Sequence, residues 1–216
     1  MQLTPIAPEA LKAALDAFVR GIADDPLAMA AFARIRASGS SARAEEELVA
    51  ATSHLAARLG IPTLDEEPAR AFSWDGGLLR ARSEACVLFH EIAHWQLAPA
   101  DRRLLPDFGL GAGPETGRKA EAERARAVDE ERRIAEECEA SLLGILWEAA
   151  FGGPAIDAFL EQNWLERFDR EGTHALFRST LAALLARGLI DRTAAPRPRG
   201  LSEALPGAEN RAVAAP

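Results

Sequence analysis

Residues 83–98 limit the possible folds of this chain more than any other segment. Their apolar positions predict a single helix, ended by Pro99, that is hydrophobic around almost its whole circumference. A helix of this kind belongs in a protein core, where a polar side chain without a partner is costly. Residues 90–94 nevertheless read H-E-I-A-H, which places two histidines and a glutamate on it. The fold must therefore enclose this helix and supply partners for its polar groups.

The spacing of His90 and His94 indicates a shared metal ion. Residues four apart on a helix lie one turn above each other on the same face, so two imidazoles can bind one ion there. The remaining coordination positions are then left to other groups. The alternative is a pair of core histidines that water or backbone groups satisfy. We expect metal binding, with a carboxylate or a histidine as the third protein ligand.

A long helix predicted over residues 121–151 carries the main candidates for that third ligand. Glu137, Ser141, Gly144 and Glu148 follow one another at helical spacing along the edge of an apolar stripe. The small residues between the two glutamates leave room for a metal and a substrate. Glu137 is the first choice and Glu148 is the second.

Two other acidic residues have different predicted roles. Glu136 falls nearly opposite the apolar stripe, which favours a solvated side chain. Asp107 lies in a loop rich in glycine and proline over residues 102–117, and it is a rival ligand from that loop.

The remaining periodicity predicts a mainly α protein, either all-helical or α+β with one minor strand element. Helical patterns cover residues 8–36 (divided by Pro26), 44–59, 155–170 and 173–187, and residues 71–74 form a candidate strand. We expect one domain over residues 1–192, with residues 1–60 as its helical N-terminal part. Proline, alanine and arginine accumulate over residues 193–216, which predicts a flexible tail.

Composition and charge exclude several classes of function. The chain has 33 acidic and 25 basic side chains, a formal net charge of −8, which argues against a protein built to coat nucleic acid. No apolar run reaches the roughly 18 residues of a membrane span. Cys86 and Cys138 are too few for a disulfide framework, and the first residues lack the pattern of a secretory signal. We therefore expect a cytoplasmic protein with no membrane and no nucleic-acid partner.

A denser set of motifs surrounds the histidine pair. The string HEIAHW at 90–95 is followed by Arg102-Arg103, Leu105, Asp107-Phe108-Gly109, Pro114 and Gly117-Arg118. This combination resembles the elongation factor P hydroxylase family, whose carboxylate-bearing helix also ends at a Gly-x-Pro stop, matched here by Gly152-Gly153-Pro154. The resemblance covers residues 80–190, and this range is the predicted metal-binding core of the domain.

The resemblance implies a non-haem iron monooxygenase that hydroxylates a modified lysine on a protein substrate, elongation factor P. His90, His94 and Glu137 would hold Fe(II), leaving open positions for O₂ and substrate. Glu91 would handle protons or support a ligand, and Asp107 would orient a ligand histidine. The family's carboxylate ligand, counted back from its Gly-x-Pro stop, falls on Glu137. An alignment without an insertion of about two helical turns selects Glu130 instead.

Two other functions remain open from the residues. A zinc peptidase of the HExxH…E kind would use the same ligands, Zn(II) and Glu91 as general base. Such a hydrolase needs a donor for the developing oxyanion, and because the chain has no tyrosine, that donor must be His174 or an arginine. The third function is a metal-stabilised helical interaction module. A closed site of four protein ligands would favour that module, and three protein ligands with an open position would favour an enzyme.

Overall fold

The computed structural model describes residues 6–38, 43–68, 72–113, 116–165 and 173–199 of the 216-residue chain. The architecture is mainly α, as the sequence predicts. The helices are α1 (Pro8–Ile22), α2 (Pro26–Ala37), α3 (Glu45–Leu59), α4 (Ala85–Leu97), α5 (Lys119–Arg124), α6 (Glu130–Ala150), α7 (Ala155–Glu161) and α8 (Thr173–Ala186). Within these ranges no helix has both the length and the apolarity to cross a membrane.

Local chemistry sets the ends of the N-terminal helices. Pro26 separates α1 from α2, and Asp25 caps α2 because its carboxylate accepts hydrogen bonds from the backbone of Leu27 and Ala28. Gly60 closes α3 in the left-handed conformation, with φ of 75°. The predicted helices over residues 8–36 and 44–59 are therefore confirmed.

The apolar helix α4 packs most extensively against α6 and also contacts α3. Most of its aliphatic and aromatic residues are buried, and Phe89 and Ile92 have no exposed surface, whereas Val87 is 36% exposed. Gly144 of α6 faces α4 so closely that a Cβ there would lie 3.1 Å from the backbone N and Cα of His90. The missing side chain lets the two helices approach, and this contact positions the histidine pair against α6.

The predicted long helix over residues 121–151 is wrong in its first part. The chain forms α5 and α6 with a break between them, and Asp129 caps the start of α6 by accepting from the backbone of Arg132. Within the break, the backbone of Ala127 donates to the carbonyl of Gly109. The break therefore ties α6 to the loop after α4, a tertiary contact that helical periodicity does not encode.

Two further boundaries differ from the sequence predictions. The strand predicted over residues 71–74 is wrong for its described part: Trp74 makes only an isolated bridge, and Ala71 lies outside the described residues. The strands are β1 (Thr63–Leu64) and β2 (Leu79–Arg80), paired in parallel. The helix predicted over residues 155–170 ends at Glu161 within its described part, and residues 166–170 lie outside the described residues. The predicted helix over 173–187 is confirmed as α8.

The first residues assigned to the tail are part of the folded body. Ala194 is fully buried, and the backbone of Arg197 donates to the carbonyl of Leu189. Arg34 of α2 also donates to the carbonyl of Thr193. The flexible tail predicted to begin at residue 193 is therefore wrong for residues 193–199, and its remainder lies outside the described residues.

Candidate metal centre

Three potential ligand atoms converge where α4 meets α6. The Nε2 atoms of His90 and His94 lie 2.9 Å apart, and Oε2 of Glu137 lies 3.5 Å from each of them. The two histidines come from successive turns of α4, and the glutamate comes from the facing side of α6. Glu137, the first choice from the sequence for the third ligand, is the acid that the fold brings to the two histidines.

The spacing of these atoms fits one bound transition-metal ion. Metal–ligand distances of about 2.1 Å place neighbouring ligand atoms roughly 3.0–3.4 Å apart, for octahedral or tetrahedral angles. The observed separations of 2.9 and 3.5 Å bracket that range. Two imidazoles and one carboxylate also form the donor set of non-haem iron and of zinc sites with an open position.

The charge of Glu137 suits a ligand. Burial raises the pKa of its carboxyl, but hydrogen bonding to His90 and His94 and their charge outweigh burial, so the pKa lies well below its usual range. The carboxylate is therefore ionised at neutral pH. His94 is almost entirely buried, whereas His90 and Glu137 keep 26% and 40% of their side chains exposed. The exposed edge of the triad is the side from which another molecule can reach it.

That edge faces an open cleft of about 600 Å³. His90, His94 and Glu137 lie on its wall, with apolar surface from Val87, Phe108 and Leu110 beside them. The wall also carries the carboxyl groups of Glu84, Glu91, Asp107 and Glu161. Among the described residues that line the cleft, none is arginine, lysine or tyrosine. The described wall of the cleft is therefore acidic, and it carries no guanidinium, ammonium or phenol donor for a negatively charged group.

A smaller cavity of about 200 Å³ adjoins the triad on its other side. His90, Glu137 and Gln162 border it, together with Trp164, whose indole donates to the hydroxyl of Ser141. Of the two small residues on α6 that the sequence analysis expected to leave room for a metal and a substrate, Ser141 lines this cavity, whereas Gly144 packs against the backbone of His90.

A tight turn over residues 107–109 forms one side of the site. Asp107, Phe108 and Gly109 all adopt positive φ angles, of 44°, 54° and 68°, which L-residues rarely do. The contacts around the turn hold it there: the backbone of Asp107 donates to the carbonyl of Trp74. Phe108 stacks on the Trp74 indole, with centroids 5.4 Å apart, and on the His94 ring, with centroids 5.6 Å apart. The turn therefore fixes the plane of one candidate ligand.

Glu91, the acid of the motif, lies in the same cleft and is half-buried. Burial raises its pKa to about 7, although the charge of His90 and a hydrogen bond with Ser73 act in the opposite direction. The pKa of Asp107 is also raised by burial, to about 6, against a hydrogen bond from Thr116 of 2.9 Å. Both acids therefore exchange protons near neutral pH, which is the range that acid–base chemistry requires.

The alternative third ligands do not meet the histidines. Glu130 lies at the exposed start of α6 and pairs with Arg126 and Arg133. Glu148 is buried away from the cleft, and burial raises its pKa to about 7, with Glu45, Asp157 and Glu161 adding to the effect. Asp107 lines the cleft, but its carboxylate accepts from Thr116.

Glu136 contradicts its sequence prediction. Instead of being solvated, its side chain is fully buried, and its Oε2 accepts from Arg102 at 2.5 Å and from Arg132 at 2.9 Å. The other carboxylate oxygen lies 4.0 Å from Nδ1 of His94. Residue 136 lies outside the apolar stripe, and the i,i+4 spacing from Arg132 was the available signal of its ion pair.

Three other residues noted in the sequence, Arg102, Arg103 and His174, each pack against a side chain of the fold. Arg102 pairs with Glu136, and Arg103 stacks on the Trp95 indole at 3.8 Å. His174, the candidate oxyanion donor, packs on the buried ring of Phe18, with centroids 5.3 Å apart, and is absent from the described lining of the cleft. This location leaves an arginine as the remaining candidate for the oxyanion donor of a hydrolase.

The arrangement combines three candidate ligands, an open acidic cleft and two acids that titrate near neutrality. Cys86, half-buried at the same cleft, is not in a disulfide, and burial raises its thiol pKa to about 11, which makes it a poor nucleophile.

Comparisons of the chain with protein-family models, curated proteins and solved structures give no significant match.

Proposed function

We propose that the protein is a metal-dependent oxygenase that hydroxylates a lysine-type side chain of a protein substrate, with Fe(II) held by His90, His94 and Glu137. The observation that carries this proposal is the convergence of two imidazoles and one carboxylate on one side of an open cleft. Fe(II) with this ligand set supplies activation of O₂ at the positions that the protein leaves open. We place the reaction in the cytoplasm.

The residues around the triad support such a reaction. The ring of Phe108 lies against His94 and holds its orientation, which keeps the candidate ligand atoms together before the substrate arrives. Glu91 and Asp107 can hold or release a proton at their carboxyl oxygens near neutral pH. Apolar surface from Val87 and Leu110 lets the stem of a long side chain replace water in the cleft.

The charge of the cleft favours a cationic substrate group. Glu84, Glu91, Asp107 and Glu161 line it, and no described lining residue carries a fixed positive charge. An ammonium group entering this cleft exchanges part of its hydration for carboxylate neighbours, whereas an anionic group finds no arginine or lysine among the described lining residues. A lysine side chain, or a modification built on one, has this chemistry, and the elongation factor P that the family resemblance implies is the first substrate to test.

A zinc hydrolase is the second candidate, and Glu91 favours it. A glutamate of the HExxH motif with a pKa of about 7 has the right basicity to take a proton from a metal-activated water. The cleft lacks the other half of that mechanism, because no described lining residue is a tyrosine or arginine and His174 packs elsewhere. We therefore rank hydrolysis below oxygenation. A metal-stabilised interaction module ranks lower still, because three protein ligands beside an open cleft leave the coordination incomplete.

The deciding experiment incubates modified elongation factor P with Fe(II)-loaded protein, O₂ and a two-electron reductant such as ascorbate, and measures the intact mass of the factor. The reductant is required because one oxygen atom enters the side chain and the other is reduced to water. A gain of one oxygen atom that depends on Fe(II) and O₂ is the expected result. The matched control is His94→Ala, which removes a candidate ligand and should abolish the gain. Cleavage of the factor in the presence of Zn(II) would instead indicate the hydrolase, and an unchanged mass would refute this substrate.

A further inference from the structure

Two polar atoms face each other in the core beneath the metal centre. Nδ1 of His94 and Oε1 of Glu136 lie 4.0 Å apart, and neither has a hydrogen-bond partner among the described residues. Both atoms belong to buried side chains: only 5% of the His94 side chain is exposed, and none of the Glu136 side chain is exposed. Buried polar atoms without partners are rare in folded proteins, so this pair requires an explanation.

The chemistry of a metal-bound imidazole explains the arrangement. His94 points Nε2 at the candidate metal position, where Nε2 of His90 and Oε2 of Glu137 also point. A neutral imidazole that ligates through Nε2 carries its proton on Nδ1, and that N–H requires an acceptor. Metal-ligating histidines generally find one in a carboxylate, a carbonyl or a water. For His94 the facing atom is Oε1 of Glu136.

The arginines around Glu136 determine which of its oxygens is available. Arg102 and Arg132 both donate to Oε2, so that oxygen is held and Oε1 is directed towards the histidine. The two guanidinium groups also balance the charge of a carboxylate that no water reaches. Asp107, for which the resemblance implied the orienting role, accepts instead from Thr116.

We propose that Glu136 is a positioning residue that accepts a hydrogen bond from Nδ1–H of His94 and so fixes the tautomer in which Nε2 binds the metal. A movement of about 1 Å brings the two atoms from their present separation to hydrogen-bond distance. This inference rests on the proposed metal centre. It adds a series of hydrogen bonds that leads from Arg102 and Arg132 through Glu136 to the metal ligand His94.

The variant Glu136→Gln tests this role with almost no change in volume. Both arginines attract an acceptor, so the amide oxygen of the new side chain turns towards them and its NH₂ group turns towards His94. An NH₂ facing Nδ1 favours the opposite tautomer, with the proton on Nε2, which cannot ligate. We expect the affinity of the metal-free full-length protein for Zn(II) and Co(II), measured by titration, to fall by about 10- to 100-fold.

The control variant is Glu139→Gln. Glu139 lies on the same helix, is 6% exposed and accepts from Arg132 and Arg187. Its carboxylate is therefore a second buried partner of arginines, but it has no ion-pair contact with either histidine of the site. Loss of a buried ion pair affects both variants alike, so only an effect specific to His94 can separate them. We expect Glu139→Gln to keep its metal affinity within about threefold.

A second measurement decides the inference even if the protein binds neither metal. Nitrogen-15 NMR of the histidine rings in metal-free protein reports the tautomer of His94 at a pH where the ring is neutral. Oε2 of Glu137 lies 3.5 Å from Nε2 of His94 and attracts the same proton, so the readout is the difference between proteins. The share of His94 rings protonated on Nδ1 should be the same in the wild type and in Glu139→Gln, and lower in Glu136→Gln. An unchanged share in Glu136→Gln, or equal losses of metal affinity in the two variants, overturns the proposal. Absence of metal binding by the wild type, with the share lowered as expected, refutes only the metal centre.

Discussion

Replacing Gly144 by alanine tests the contact that places the histidines against α6. A Cβ at this position would lie 3.1 Å from the backbone N and Cα of His90 and 3.2 Å from the carbonyl carbon of Phe89. These atoms belong to a helix, so they cannot rotate away as the end of a flexible side chain can. The two helices must instead separate by a few tenths of an ångström at the point where the candidate ligands meet.

Two opposing effects set the size of the change. Overpacking in a well-packed core costs about 1–3 kcal/mol. Alanine in place of glycine inside a helix stabilises the helix by about 1 kcal/mol, because alanine has the higher helix propensity. We therefore expect the free energy of unfolding of Gly144→Ala to fall by up to about 2 kcal/mol, which lowers the melting temperature by up to roughly 8 °C for a chain of this size. Metal affinity should fall as well, because His90 moves relative to Glu137.

The assay is urea unfolding of the metal-free protein, followed by titration of the folded protein with Zn(II). Gly77→Ala is the control, because a Cβ there would meet only the Asp75 side chain at 3.6 Å. Its free energy of unfolding should stay within about 0.5 kcal/mol of the wild type. A Gly144→Ala protein more stable than the wild type by the helix-propensity value would refute the close approach of α4 and α6.

Three further changes have expected outcomes. Glu137→Ala should abolish metal binding in metal analysis, whereas His54→Ala, at an exposed position of α3, should bind as the wild type does. The raised pKa of Glu148 means that the folded protein takes up its proton more readily than the unfolded chain. Its contribution to stability is therefore complete below pH 4.5 and is lost as the pH rises through about 7. Glu148→Gln should flatten the dependence of stability on pH. At pH 8 its free energy of unfolding, measured by chemical unfolding, should exceed that of the wild type by on the order of 1–2 kcal/mol. An unchanged pH profile of stability would contradict this expectation. Arg103→Ala removes the stack on Trp95 and should destabilise the protein by about 1 kcal/mol in the same assay, and a change within error would mean that the stack contributes nothing.

The helices closest to the site could be predicted from local patterns. The apolar run of α4 and the four-residue spacing of its histidines require no tertiary information. The 3.6-residue period placed Glu137 and Glu148 on one helix edge, and the distance from the Gly-x-Pro stop in the resembling family also pointed to Glu137. The proline and glycine boundaries of α1, α2 and α3 follow from local backbone restrictions in the same way.

The errors concern residues whose environment depends on distant partners. The break between α5 and α6 is tied to the carbonyl of Gly109, which belongs to a loop that follows another helix. Residues 193–199 have the composition of a loose tail, but contacts with α2 and the end of α8 hold them on the body. Such hydrogen bonds join residues that are far apart in the sequence, so no local sequence pattern predicts them.

The sequence by itself determined that a buried helix carries two histidines on one face, that a glutamate on a second helix could join them, and that the fold is mainly α. Only the tertiary structure decided that Glu136 is buried between His94 and two arginines, that Phe108 stacks on the same ring, and that acidic groups surround the open cleft. The physical reason is that periodicity fixes the direction of a side chain relative to its own helix. Its charge environment and its partners depend on which other elements pack there.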